Sequence, residues 1–141
     1  MEITLAASPP VAARHFSAKL AFETDPADVA AHLAAGSTSI VLVDARQPDG
    51  FAAARLPGAI NLPHATIDEV STAGLDPTLT YVTYCWGPAC NASTKAAAAL
   101  AGLGFRVKEL IGGLSAWQAE GFAVEGAAGR GADATACACA C

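Results

Sequence analysis

Cys85-Trp-Gly-Pro-Ala-Cys-Asn91 is the stretch that decides the fold, because of the residues on either side of it. The residues before it, Leu79-Thr-Tyr-Val-Thr-Tyr84, are rich in β-branched and aromatic side chains and predict a buried strand. The residues after it, Ala92 to Leu103, are rich in alanine and predict a helix that ends at Gly104. The chain is therefore predicted to leave a strand at Cys85, turn through a short loop and enter a helix.

This strand–loop–helix order favours a reactive thiol at Cys85. Several loop N–H groups and the positive end of the helix dipole are expected to point toward one place. A thiol at that place has its anionic form favoured, which makes it a better nucleophile near neutral pH. The stretch therefore gives a functional hypothesis as well as a local fold.

Length, charge and cysteine content narrow the class of protein. The 141 residues suffice for one domain with a core, and the net charge of −5 argues against nucleic acid and anionic lipid as partners. No run approaches the ~18 apolar residues of a membrane span. The first ten residues lack the basic start and apolar block of a secretory signal. Five cysteines without such a signal favour a reducing, cytoplasmic compartment and thiol chemistry or metal binding over a disulfide scaffold.

Predicted strands and helices alternate along the chain, which is typical of an α/β fold with a mainly parallel sheet. Asp25 and Pro26 suit the N-cap and first position of a helix that ends at Gly36. The apolar run Ser39–Val43 predicts a central strand covered on both faces. The remaining predicted elements are strands at 19–22, within 56–63 and at 105–110, and helical segments at 48–54, 67–71 and 114–120.

The composition divides the chain into three parts. Residues 1–17 are predicted to be an extended or loosely packed lead-in, since Ser8-Pro9-Pro10 cannot continue a helix. Residues 18–125 form the folded domain, and residues 126–141 are predicted to be a flexible tail rich in Ala, Gly and Cys. Its cysteines, at 137, 139 and 141, either accept sulfur or take part in redox chemistry, or have no assigned task, which is the favoured interpretation. A metal site there would need a fourth ligand.

Two predicted central strands end in polar, reactive residues. In an open α/β sheet the ligand site lies beyond the carboxyl ends of the strands. Asp44-Ala-Arg46 follows one strand and Cys85 follows another, so both groups are expected at the same rim. Asp44 is interpreted as a loop cap or a site-structuring residue, and Arg46 as the partner of a nearby carboxylate.

Four motifs, in this order, resemble those of a single-domain rhodanese. They are Val43-Asp-Ala-Arg46, Arg55-Leu-Pro-Gly-Ala-Ile-Asn61, Tyr84-Cys85 with its loop into a helix, and Leu110-Ile-Gly-Gly-Leu-Ser-Ala-Trp117. The resemblance covers roughly residues 18–121. It implies a three-layer fold in which helices cover both faces of a five-stranded, mainly parallel sheet. It also implies a sulfurtransferase that moves sulfane sulfur from a donor such as thiosulfate to a thiol or cyanide through a cysteine persulfide.

By position, the resemblance assigns roles to individual residues. Cys85 matches the persulfide-forming nucleophile, and Asp44 and Arg46 match the pair that structures the surroundings of the site. The loop whose backbone amides bind the sulfur and the incoming anion is matched by Trp86, Gly87, Pro88, Ala89, Cys90 and Asn91. A small-molecule sulfur donor and a thiol acceptor are the expected partners, and no cofactor or metal is expected.

The loop departs from the family pattern in its charge. Residues Trp86 to Asn91 contain none of the Arg or Lys that helps to bind thiosulfate, so thiosulfate is predicted to be a poor donor. Arg55 is the candidate source of the missing charge. His64 belongs to a predicted turn near the site and is considered for a catalytic part. Related phosphatases and arsenate reductases need His before the cysteine and Arg at its sixth following position. This chain has Tyr84 and Asn91 there and therefore lacks the phosphate clamp.

Cys90 allows two interpretations. As a resolving thiol it would form a disulfide or relay with Cys85. As a small apolar residue it would pack the start of the helix, and this is favoured because strain in a tight loop opposes the bond. The alternatives to a sulfurtransferase are therefore a thiol redox enzyme using both cysteines and a non-catalytic binding or sensing module. Trp86 is predicted to form the rim of the substrate site rather than a lid, and Trp117 to lie in the core.

Overall fold

One parallel sheet of five strands organises residues 3–127, which are the residues that the computed structural model describes. The strands are β1 Glu23–Thr24, β2 Ile40–Asp44, β3 Ile60–Asn61, β4 Thr80–Tyr84 and β5 Arg106–Leu110. The α-helices are α1 Pro9–Phe22, α2 Pro26–Ala34, α3 Pro48–Ala53, α4 Ala92–Gly102 and α5 Gly113–Ala119, with a 3₁₀-helix at His64–Thr66. The order across the sheet is β1-β5-β4-β2-β3, so β4 is the middle strand.

The sheet register brings the predicted reactive residues to one edge. Asp44 of β2 lies opposite Tyr84 of β4, and the N–H of Ala45 donates to the carbonyl of Tyr84 at 2.9 Å. Because the strands are parallel, the chain leaves β2 and β4 side by side at the carboxyl edge. The prediction that Asp44-Ala-Arg46 and Cys85 share a rim is confirmed.

Helices cover both faces of the sheet, as the alternation of side chains along a strand requires. On one face Leu42 and Val82 are buried in a cluster that includes Val29 of α2 and Trp117 of α5. On the other face Val43 and Tyr81 pack against Leu100 of α4. The three-layer α/β prediction and the core position of Trp117 are confirmed.

The extended conformation predicted for the N-terminal residues is wrong, whereas the alternative of a loosely packed lead-in agrees with a first helix that has no buried residue. Residues Pro9–Phe22 form a helix. Pro9 and Pro10 occupy its first positions, where a backbone N–H has no acceptor within the helix, so proline's lack of an N–H costs no hydrogen bond there. The predicted strand at 19–22 is the end of this helix, and the strand Glu23–Thr24 follows it. Helix α1 has no buried residue and crosses the proposed boundary between residues 17 and 18, so the domain boundaries stay a prediction.

The other helical signals agree with the structure more closely. Asp25 caps α2 by accepting from the N–H of Asp28 at 2.8 Å. The helical turn predicted at 67–71 is wrong in place: the 3₁₀-helix begins at His64, and a turn follows in which Asp68 accepts from the N–H of Ser71 at 2.7 Å. No helix within residues 3–127 is long and apolar enough to cross a membrane.

The chain after α5 returns to the start of the second predicted motif. Arg55 and Glu125 exchange two backbone hydrogen bonds of 2.9 Å, and the N–H of Ala127 donates to the carbonyl of Ala52 at 2.9 Å. The rest of the predicted flexible tail, with the cysteines at 137, 139 and 141, lies outside the described residues. Its proposed roles stay predictions.

Candidate active site

Cys85 follows β4 directly and is joined to Cys90 by a disulfide bond. The Cys85 residue is 2% exposed, and the two Cα atoms are 6.3 Å apart. This separation lies within the range of about 4.4–6.8 Å that disulfides span. The prediction that loop strain opposes the bond, and that Cys90 serves only as a packing residue, is therefore wrong.

The loop from Trp86 to Asn91 contains backbone N–H donors for which the described part of the chain offers no acceptor. Within residues 3–127, the backbone N–H groups of Trp86, Gly87, Ala89 and Asn91 donate to no protein acceptor. The N–H of Cys90 donates to the carbonyl of Gly87 at 3.1 Å and closes a tight turn. The loop can therefore offer several amide donors to a bound anion.

Helix α5 holds the first two loop residues in place. The N–H of Leu114 donates to the carbonyl of Cys85 at 3.0 Å, and the N–H of Ser115 donates to the carbonyl of Trp86 at 2.8 Å. Gly113 makes this approach possible because its φ is +58° and a Cβ there would overlap the carbonyl oxygen of Cys85. Gly113 of the fourth motif thus allows α5 to pack closely against the loop that follows Cys85.

The start of helix α4 is fixed to the sheet by three hydroxyl hydrogen bonds. The hydroxyl of Thr83 donates to the carbonyl of Ser93 at 3.0 Å. The hydroxyls of Ser93 and Thr94 donate to Glu109 Oε2 at 2.8 Å and 3.0 Å. These contacts set the position of the first turn of α4 relative to Cys85 and to the end of β5.

A cleft of about 240 Å³ opens beside the disulfide. The loop lines one side of it, and the start of α4, the end of β5 and residue 23 of β1 line the rest. Its lining residues are Glu23, Cys85, Gly87, Pro88, Ala89, Cys90, Asn91, Ser93, Thr94, Glu109, Leu110, Ile111, Gly112 and Gly113. The structure therefore brings Cys85 together with most of the predicted loop.

Sequence reasoning missed the polar residues on the far wall of this cleft. Glu109 lies next to the carboxyl end of β5, and Glu23 is its Cα partner on β1. The signal was available in part, because residues near the carboxyl end of a parallel strand belong to the rim where ligands bind. Ser93 and Thr94 were counted only as part of an alanine-rich helix.

Asp44 and Arg46 form a buried ion pair below the rim. Arg46 Nε donates to Asp44 Oδ1 at 2.9 Å, and Arg46 Nη2 donates to Asp44 Oδ2 at 2.6 Å. The side chains are 0% and 10% exposed, respectively. Burial alone would lower the pKa of Arg46, but the hydrogen bond and charge of Asp44 outweigh it and raise that pKa above its ordinary value. The predicted pairing of Arg46 with a carboxylate is confirmed.

This ion pair connects the loop after β2 to the Cys85 loop. Arg46 also donates to the carbonyl of Ala54 at 2.5 Å, and its guanidinium carbon is 5.8 Å from the ring centre of Trp86. Asn61 donates to the carbonyls of Asp44 and Arg46 at 3.0 Å and 2.9 Å. Trp86 is half-buried against the core and does not line the cleft, so the structure does not bring it to the predicted rim.

Arg55 and His64 do not join the site. Arg55 lies over the ring of Phe51, at 4.6 Å from its centre, and its Nε is 3.9 Å from Glu125 Oε2. The interpretation of Arg55 as the source of the missing positive charge is therefore wrong. His64 begins the 3₁₀-helix and is not one of the residues lining the cleft. Among residues 3–127, no group of His, Cys, Asp and Glu is arranged to hold a metal ion.

Comparison with known families fits this geometry. Residues 25–120 match the model of the rhodanese-like domain. The chain belongs to the rhodanese-like domain family. The match contains the ion pair, the cysteine loop and helix α5, so it covers every element that builds the cleft except β1.

Solved structures support the same assignment. A protein from Bacillus halodurans is 46% identical with a TM-score of 0.87, covering 89% of this chain and 92% of that one. The rhodanese-like domain of an Anabaena protein is 25% identical with a TM-score of 0.70, covering 81% of this chain and 86% of that one. A thiosulfate sulfurtransferase from Pseudomonas aeruginosa is 26% identical with a TM-score of 0.63, covering 77% of this chain but 20% of that one. None of the curated proteins compared is significantly similar.

Proposed function

We propose that this rhodanese-like domain is a sulfurtransferase that carries sulfane sulfur as a persulfide on Cys85. The observation that carries the proposal is the place of Cys85, at the carboxyl end of the middle strand and in the wall of the cleft. Membership of the family and the similarity to a thiosulfate sulfurtransferase support it. The loop N–H groups that donate to no acceptor within residues 3–127 support it independently of any relative.

The proposed reaction has two displacement steps. The Cys85 thiolate attacks the outer sulfur of the donor, the donor's S–S bond breaks, and the donor leaves with the electron pair; sulfite leaves when the donor is thiosulfate. An acceptor thiolate then attacks the outer sulfur of the persulfide, and Cys85 leaves as a thiolate. The loop N–H groups donate to the negative charge that develops on sulfur, as an oxyanion hole does for oxygen.

The disulfide makes the reduced protein the active form in this proposal. Cys85 cannot act as a nucleophile while its sulfur is bonded to Cys90. A dithiol reductant must first cleave the bond by thiol–disulfide exchange, becoming a disulfide itself. We therefore keep the expectation of a reducing, cytoplasmic setting, with a small-molecule sulfur donor and a thiol acceptor as the partners.

The same disulfide favours a second candidate function, a thiol redox enzyme. In that reaction the Cys85 thiolate attacks a disulfide substrate and forms a mixed disulfide, and one substrate thiol leaves. The Cys90 thiolate then attacks Cys85, the second substrate thiol leaves, and the Cys85–Cys90 disulfide remains. Cys90 is required in this cycle, whereas in sulfur transfer it is dispensable.

Turnover assays on the reduced protein separate these functions. Thiosulfate, mercaptopyruvate and a persulfide are offered as donors with a thiol acceptor, and a small disulfide is offered in a parallel redox assay. For a sulfurtransferase, Cys85→Ser abolishes transfer and Cys90→Ser retains it. If Cys90→Ser abolishes the activity while only the disulfide is turned over, the redox function is the correct one. If neither assay exceeds its Cys85→Ser background, the domain is a non-catalytic binding or sensing module.

A further inference from the structure

The charge on the cleft is opposite to the charge that would attract an anionic sulfur compound. Among residues 3–127, the charged residues that line it are Glu23 and Glu109, and no Lys, Arg or His of this part of the chain belongs to the lining. Arg46, on the loop after β2, is engaged with Asp44 and lies outside the lining. A thiosulfate dianion entering the cleft would therefore meet carboxylates beside Cys85.

Glu109 is the carboxylate that dominates this charge. Its Oε2 accepts from the hydroxyls of Ser93 and Thr94, which are neutral groups. Glu23 differs, because Lys19 Nζ lies 2.5 Å from its Oε2 and offsets its charge. The side chain of Glu109 is held at the first turn of α4, which is the end of a helix that anions favour. The Glu109 carboxylate thus takes up the hydroxyl donors at the start of α4 that an anionic substrate would otherwise bind.

We infer that the cleft selects a neutral or cationic thiol as the sulfur acceptor and disfavours an anionic one, with Glu109 as the specificity-determining residue. This inference rests on the proposed function and names its substrate class. In the step concerned, the acceptor thiolate bonds to the outer sulfur of the Cys85 persulfide, and the bond between that sulfur and Cys85 breaks. Atoms and electrons balance without a further reactant, and an ammonium group on the acceptor would face Glu109.

The test uses three small acceptors of similar length and different charge: cysteamine, β-mercaptoethanol and β-mercaptopropionate. Reduced protein is first loaded with sulfur on Cys85, and the rate of sulfur loss to each acceptor is measured. Because the three thiols differ in intrinsic reactivity, the readout is the ratio of the Glu109→Gln rate to the wild-type rate for each acceptor. Gln keeps an oxygen that accepts from Ser93 and Thr94, so the variant removes the charge and preserves the contact.

We expect the ratio of the Glu109→Gln rate to the wild-type rate to be about 0.2 for cysteamine, about 1 for β-mercaptoethanol and about 5 for β-mercaptopropionate. Glu69→Gln is the matched control, since Glu69 is exposed, lies outside the cleft and carries the same charge. It should leave all three rates unchanged. A Glu109→Gln ratio that is the same for all three acceptors, or a Glu69→Gln variant that reproduces the pattern, would overturn the inference.

A second measurement needs no variant. In the wild-type protein, added salt should slow transfer to cysteamine and speed transfer to β-mercaptopropionate, because screening weakens both the attraction and the repulsion. Equal responses of the two acceptors to salt would contradict the role of charge in the cleft. If Cys85 takes up no sulfur from any donor, the proposed function itself fails, which is a different result from loading followed by transfer without charge preference.

Discussion

Removing the guanidinium of Arg46 should destabilise the protein severely, because it leaves a charge buried without its partner. In Arg46→Met the carboxylate of Asp44, which is 0% exposed, loses its side-chain donors at 2.6–3.2 Å. It keeps the backbone N–H of residue 46 at 3.0 Å. Breaking a buried pair in this way costs about 3–5 kcal/mol of unfolding free energy. For a domain of this size that corresponds to a fall in Tm of roughly 10–17 °C.

Urea denaturation followed by circular dichroism measures this loss. Arg106→Met is the matched control, because Arg106 is exposed on β5, and it should change the unfolding free energy by less than about 0.5 kcal/mol. The double variant Asp44→Asn/Arg46→Met removes the buried charge as well and should recover at least about 1 kcal/mol relative to Arg46→Met. A loss below about 1 kcal/mol in Arg46→Met, or no recovery in the double variant, refutes the argument from the buried charge.

Three further predictions concern the surroundings of the cleft. In urea denaturation, Gly113→Ala should lower the unfolding free energy more than Gly36→Ala does. Both glycines have a positive φ (+58° and +70°), but only Gly113 lies against the carbonyl of Cys85. Equal losses would contradict the contact between α5 and the loop. Burial raises the pKa of the Tyr84 phenol above 10.0, so above pH 10 the unfolded state loses a proton that the folded state keeps, and stability falls by about 1.4 kcal/mol per pH unit. Thermal unfolding should show a shallower alkaline decline for Tyr84→Phe, and an unchanged slope would count against this linkage. Excess peroxide should convert the reduced wild-type protein to the Cys85–Cys90 disulfide, with peroxide reduced to water, and a dithiol should restore its activity. In Cys90→Ser the Cys85 sulfenic acid should oxidise further to sulfinic acid, which a dithiol does not reduce; full dithiol rescue of the variant under the same excess would contradict a protective role of the bond.

Local sequence signals were sufficient to predict the architecture. The β-branched run before Cys85, the apolar run at 39–43 and the cap at Asp25 each correspond to an element of the structure. They succeeded because the period of the side chains, the capping residue and the breaking glycine all favour the same element. The shared rim of Asp44 and Cys85 followed from the parallel order of the strands, which fixes the edge at which they end.

The errors concern features that depend on contacts between distant parts of the chain. Two prolines in sequence were interpreted as helix breakers, although at the first positions of α1 they start the helix. Arg55 was a candidate for the site because sequence does not reveal that Glu125 and Phe51 surround it. Glu109 was overlooked because its importance comes from the hydroxyls of another element, 15 and 16 residues away along the chain.

Peptide mass spectrometry of the Cys90→Ser variant tests the central claim most directly. In this variant the peptide containing residue 85 has one cysteine, so an added sulfur atom in it can be assigned without ambiguity. After reduction and exposure to a persulfide donor, we predict the mass of one additional sulfur on Cys85, which disappears when a thiol acceptor is added. Sulfur found only on other cysteines, or none that the acceptor removes, would contradict Cys85 as the sulfur carrier.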